Sequence, residues 1–139
     1  MIVEAMKGDI PAIVEMGKAF HAMSPHRDMG KYDPIGMANV LSFMIESPSA
    51  VVLFNGKGAI GGILAPVYFN PAKIILEESF WWAEEGGRGL LKAFEAWGKS
   101  QGANFVSMCT LVNEKSAVIG RVMRMNGYRP VETRYFKGL

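Results

Sequence analysis

The residues best suited to chemistry lie just past the middle of the chain. There an apolar stretch from Lys73 to Trp82 runs through Glu84-Glu85-Gly86-Gly87-Arg88-Gly89 into Leu90-Leu91-Lys92-Ala93-Phe94-Glu95-Ala96-Trp97. A glycine-rich turn between a strand and a helix leaves backbone N–H groups free at the positive end of the helix dipole, with no side chains to block a bulky anion. Gly86, Gly87, Arg88 and Gly89 are therefore a candidate pyrophosphate site, with a plain sharp turn as the simpler explanation for the same glycines. Two neighbouring carboxylates precede the turn. Regular alternation would put Glu78 on the face of Leu76, Phe80 and Trp82, and Glu77 with Ile75 and Ser79. Among aromatic side chains, desolvation raises the proton affinity of a carboxylate. Cys109 shares a predicted strand face with Phe105, Ser107 and Leu111 and reads as a small core residue. His21 and His26 have no partner at catalytic or zinc spacing, so no metal site is expected.

The elements that must hold these residues follow one another without linkers or repeats. Ile2 to Met6 suits a first strand, and Asp9 is placed to cap a helix running to about Met23. After a loop over Ser24 to Gly30, Asp33 as N-cap and Pro34 at the first helical position open a second helix carrying Met37, Val40, Leu41, Met44 and Ile45. Ser47-Pro48 ends it. Ala50 to Phe54 and Ala59 to Phe69 form a hairpin about Asn55-Gly56, and Asn70-Pro71 turns the chain into the strand from Lys73 to Trp82. The helix after the glycine turn, expected to end at Gly102, buries a stripe of Leu90, Leu91, Phe94 and Trp97. Phe105 to Leu111 is a further strand, and Ser116 to Asn126 a helix closed by Gly127. A last strand is expected over Pro130 to Phe136, giving the order β-α-α-β-β-β-α-β-α-β.

Composition bounds the rest. A chain of 139 residues fits one domain spanning residues 1–139, and burying about two thirds of its unfolded surface gives it one proper core. Its apolar runs fall far short of the roughly 20 residues that cross a bilayer. The start Met1-Ile2-Val3-Glu4 lacks the basic and apolar regions of a secretory signal, which reads as cytoplasmic. A net charge of +2 demands no nucleic acid partner. A half-apolar composition, with Trp81 and Trp82 in a small domain, admits a homodimer.

The order of elements, with the glycine turn after the fourth strand, resembles the GNAT superfamily of acyl-CoA-dependent N-acyltransferases over essentially the whole chain. It is carried by Glu77-Glu78-Ser79-Phe80-Trp81-Trp82, by Gly87-Arg88-Gly89-Leu90-Leu91-Lys92-Ala93-Phe94-Glu95-Ala96-Trp97, by Asn113, and by Gly127-Tyr128. Small acetyltransferase-like proteins of phages look especially similar. The resemblance implies an α/β (α+β) fold, with a mixed, mostly antiparallel sheet of about six strands flanked by about four helices. It implies acetyl-CoA or coenzyme A as cofactor, and a small-molecule or protein amine as acceptor, attacked directly in a ternary complex.

It also implies roles. The fourth and fifth strands splay, so the pantetheine arm would hydrogen-bond to backbone near Phe80, Trp81, Trp82 and Ala83. The diphosphate would sit on Gly86, Gly87, Arg88 and Gly89, with Asn113 also on the cofactor side. Glu78, with Glu77 as the second candidate, would take the proton of the amine, directly or through water. Two positions depart from the family pattern. Where a tyrosine commonly donates the proton for the departing thiolate, this chain has Met123, which leaves water, Tyr128 or Tyr135 for that task. The glycine turn is shorter than usual and carries Glu84 and Glu85, whose charges oppose a bound diphosphate. A catalytically silent binding or structural module on the same fold is therefore the competing reading.

Overall fold

The computed structural model describes all 139 residues. Five strands form one sheet in the order β1 (Val3–Glu4), β2 (Ala50–Phe54), β3 (Gly58–Val67), β4 (Asn70–Ala83), β5 (Phe105–Ser107). Neighbours are antiparallel as far as β4, and β5 runs parallel to β4. Four helices flank the sheet: α1 (Ile10–Met23), α2 (Pro34–Glu46), α3 (Gly87–Ser100) and α4 (Ser116–Met125). No helix is long and apolar enough to cross a membrane.

Local chemistry accounts for most boundaries. Asp33 accepts the Gly36 N–H at 3.0 Å ahead of Pro34, which supplies a backbone angle already suited to the first turn of α2. Asn55 accepts the Lys57 N–H at 2.8 Å while Gly56 takes φ 84°, closing the β2–β3 hairpin. Asp9 behaves otherwise than expected. Its carboxylate accepts the Met6 N–H at 2.8 Å, tying a short 3-10 turn over Lys7–Asp9, and does not cap α1. The loop after α1 is likewise a 3-10 turn, Pro25–Met29, capped by Ser24.

The sheet separates two apolar layers. On one face, α1 and α2 pack through Ile13, Leu41 and Met44 onto Ala50, Val52 and Ala59. On the other, Leu90 and Phe94 of α3 pack onto Val51, Leu53, Ile60 and Leu76. Each of the larger side chains among these, fully buried, contributes roughly 1.5–3 kcal/mol. α3 crosses β4 closely at Gly98, where a methyl group would come within 2.8 Å of Leu76.

Four expectations need correction. The register jumps from Gly61↔Phe80 to Gly62↔Glu78, so Ser79 is an extra residue bulged out of β4. The bulge resets alternation. Leu76 belongs to the α3 layer, and Glu78 lies two residues on, opposite Gly62, whose missing side chain leaves room for the Phe94 ring. Phe80 and Trp82 have crossed to the α1 and α2 layer, so they do not share a face with Glu78 as regular alternation requires. The sixth strand over Pro130–Phe136 is also absent. Those residues make no backbone hydrogen bonds, and a strand without a ladder partner is not a stable element. β5 is shorter than the sequence suggests, ending at Ser107 instead of Leu111, and α3 ends at Ser100.

Candidate active site

The sheet opens where β5 ends. β4 stays paired with β3 as far as Ala83, but its pairing with β5 stops at Glu77↔Ser107. From Glu78 onward the β5-side edge of β4 has no strand beside it. Glu78 is the first residue past the fork, and its Oε2 accepts the Cys109 N–H at 3.1 Å across the gap. Burial holds its carboxyl well above the usual range, at about 7, against the opposing effect of that hydrogen bond. A carboxyl at this value is about half ionised at neutral pH, which suits a group that must take up a proton and release it again. Glu77 is exposed on the opposite side of the strand. The Cys109 thiol, exposed at the same fork, is pushed up first by burial and then by the Glu78 charge, so it stays protonated.

At the far end of β4 the glycine turn delivers the chain into α3. Gly86 adopts φ 72°, ψ 20° in the left-handed region, and a side chain there would meet the Asn55 Nδ2 at 2.6 Å. Asn55 fixes the turn by donating to the Glu85 carbonyl at 3.0 Å, while the Glu84 N–H donates to the Lys57 carbonyl. The first helical bond runs from the Leu90 N–H to the Gly86 carbonyl, so the N–H groups of Gly87, Arg88 and Gly89 have no acceptor. An added Cβ at Gly87 or Gly89 would make only ordinary contacts, at 3.5 Å to Ala83 and 3.4 Å to Ile2. Trp81 Nε1 donates to the Gly87 carbonyl at 3.2 Å and locks the end of β4 to this first turn. The residues present fit an anion at the helix start, with the exposed Glu84 and Glu85 carboxylates as the opposing charge.

On the α1 side, Phe80 and Trp82 stack with ring centroids 4.5 Å apart, and Phe20 lies 5.4 Å from Trp82. Tyr32 donates to the Val14 carbonyl at 2.7 Å and sits 5.6 Å from the His21 ring. Gly17 is required here, because a methyl group would reach the Tyr32 hydroxyl at 2.7 Å and Trp82 at 3.1 Å. The result is a half-buried aromatic wall between α1 and the end of β4.

The other sequence candidates are engaged elsewhere. Tyr128 donates its hydroxyl to Glu95 of α3 at 3.0 Å, and burial together with that carboxylate raises its proton affinity. Asn113 opens α4: its Oδ1 accepts the Lys115 N–H at 2.9 Å, and its own N–H donates to the Ser116 hydroxyl. Met123 is buried. Sequence reasoning missed the Cys109 backbone as the partner of Glu78, and Asn55 as the brace of the turn. The adjacent Gly61-Gly62 pair was the available signal for the bulge, because glycines inside a strand mark irregular pairing.

No family model matches the sequence, and no curated protein matches it. Solved structures do. The transcriptional regulator from Bacillus halodurans C-125 superposes with a TM-score of 0.78 at 14% identity, covering 100% of this chain and 99% of that one. A Trypanosoma brucei acetyltransferase gives 0.73 at 14% identity, with 100% and 99% covered. An aminoglycoside acetyltransferase from an uncultured soil metagenomic sample gives 0.72 at 9% identity, with 100% and 97% covered. The chain has the GNAT fold. At these identities it is the architecture that is shared.

Proposed function

We propose that the protein is an acyl-CoA-dependent N-acyltransferase, transferring acetyl from acetyl-CoA to an amine by direct attack in a ternary complex. The observation that carries this reading is the fork itself: a carboxyl held at about 7 stands at its apex, and an uncapped helix start stands at the far end of the same strand. Bound acetyl-CoA would supply an activated acyl group. The β5-side edge of the backbone from Phe80 to Ala83, which has no strand beside it, is suited to bind the pantetheine arm as a strand would, and the N–H groups of Gly87, Arg88 and Gly89 are suited to the diphosphate. Glu78 accepts the proton that the amine loses as it attacks. As the carbonyl re-forms, the coenzyme A thiolate leaves and takes its proton from water, because the Tyr128 hydroxyl already donates to Glu95 and the Asn113 side chain is held at the start of α4. The aromatic wall of Phe20, Tyr32 and Trp82 is the nearest surface on the α1 side against which an acceptor can lie.

A silent binding module is favoured by one specific observation, the two exposed carboxylates of Glu84 and Glu85 beside the helix start. Calorimetric titration separates the two readings. Binding of coenzyme A at millimolar concentration or below supports the transferase, and no heat and no thermal shift would remove it. Glu78→Gln keeps shape but cannot accept a proton, so turnover should fall by roughly 10²- to 10⁴-fold with coenzyme A affinity little changed.

A further inference from the structure

The glycine turn is held from two sides. From the β2–β3 hairpin, Asn55 Nδ2 donates to the Glu85 carbonyl at 3.0 Å while its Oδ1 accepts the Lys57 N–H at 2.8 Å. The hairpin backbone meets the same end of β4, where the Lys57 carbonyl accepts the Glu84 N–H at 2.8 Å. Gly58 lies opposite Ala83, so close that a methyl group would come within 2.5 Å of its side chain. From β4 itself, Trp81 Nε1 donates to the Gly87 carbonyl. Asparagine suits position 55 because it donates to one partner and accepts from the other; aspartate keeps only the acceptor, and serine has a single short hydroxyl.

We propose that Asn55 is a positioning residue for the cofactor: by holding the Glu85 carbonyl it aims the Gly86 N–H at the diphosphate of coenzyme A, as a fourth donor beside those of Gly87, Arg88 and Gly89. This rests on the transferase reading above, and adds to it a residue from outside the strand and helix that flank the turn. The carbonyl and N–H of one trans peptide point in opposite directions, and no peptide in the chain is cis. With its oxygen drawn to the hairpin, the Glu85–Gly86 peptide turns the Gly86 N–H away from it, and that N–H has no acceptor in the protein. Gly86 is left-handed at φ 72° while Gly87 begins a right-handed helix, an alternation that gathers successive N–H groups about one concavity suited to an anion. Glu84 and Glu85 repel an anion, so donors fixed in advance offset part of that repulsion.

The test follows coenzyme A binding to the full-length protein by calorimetry and, with isotope-labelled glycine, the amide signals of Gly86, Gly87 and Gly89. In the wild type the Gly86 amide proton should move downfield with the other two as the cofactor is added. Asn55→Ser keeps an acceptor for the Lys57 N–H but cannot donate to Glu85, so the melting temperature should be nearly unchanged. Its dissociation constant for coenzyme A should rise about tenfold, as for one lost hydrogen bond to a charged group, with Gly86 no longer following the cofactor and Gly87 and Gly89 still doing so. Asn55→Asp, whose Asp-Gly pair suits the same turn, gives the same reading should serine loosen the hairpin. Full affinity in these variants, or a Gly86 signal that still follows the cofactor in them, would overturn the role of Asn55 and leave the transferase reading standing. A Gly86 amide that stays still in the wild type while Gly87 and Gly89 move would overturn it as well. Absence of coenzyme A binding by the wild type would remove both.

Discussion

The chain up to Gly98 and the chain beyond it are packed by different rules. Of the 21 buried residues, only Met123 lies beyond Gly98. The first region contains both apolar layers, four of the five strands and three of the four helices, and it closes on itself. The second has an amphipathic helix, a three-residue strand and an exposed end, and buries almost nothing. The candidate active site lies along the seam, with Glu78 in the first region and its hydrogen-bond donor Cys109 in the second.

The difference can be broken by cavity mutants. Phe94→Ala empties the layer between α3 and the sheet and should cost about 3–5 kcal/mol in denaturant unfolding. Met123→Ala should cost visibly less, near or below the ~2 kcal/mol low end for such truncations, because few buried neighbours surround it. Equal losses would show that the second region has a core of its own. A sharper probe of the seam is pH. The Glu78 carboxyl is raised from its ordinary 4.5 to about 7 in the folded protein. Between those values the folded state holds a proton that the unfolded state has released. Stability from this group is therefore fully present below about 4.5 and is lost as pH rises through about 7, an effect on the order of 3 kcal/mol. Unfolding curves of Glu78→Gln should lack that decline; if mutant and wild type fall together, the seam carboxylate is not the group responsible.

Ligand binding tests the helix start directly. At a hundredfold excess over its dissociation constant, coenzyme A should stabilise the wild type by about 2.7 kcal/mol. Gly87→Asp should erase that gain while leaving the melting temperature of the free protein nearly unchanged, since an added Cβ there meets only ordinary contacts at 3.5 Å and beyond. The smallest effect is expected at the strut between the regions: Tyr128→Phe removes the hydrogen bond to Glu95 and should cost about 0.5–1.5 kcal/mol without altering the pH dependence of turnover.

What was legible in the sequence was local. Asp33-Pro34, Asn55-Gly56 and Gly86 act through their own backbone angles and nearest amides, so their types disclose their structure. The face of Phe80 was not legible, because a bulge is a relation between two strands and Ser79 has nothing unusual of its own. The same holds for residues 130–136, whose composition states a preference but not a partner. Glu78 could be singled out, while its value of about 7 depends on burial that only the assembled sheet creates.

Gly61 and Gly62 have a reach beyond their own strand. A methyl group on the first would press on Phe80 and Met44, and one on the second would press on Phe94 from the opposite side. The two positions thus act as a gauge block, setting how far each helical layer stands from the sheet and where β4 must slip by one residue. The aim of Glu78 is consequently set from a strand that never borders the fork, through the missing side chain of Gly62 opposite it.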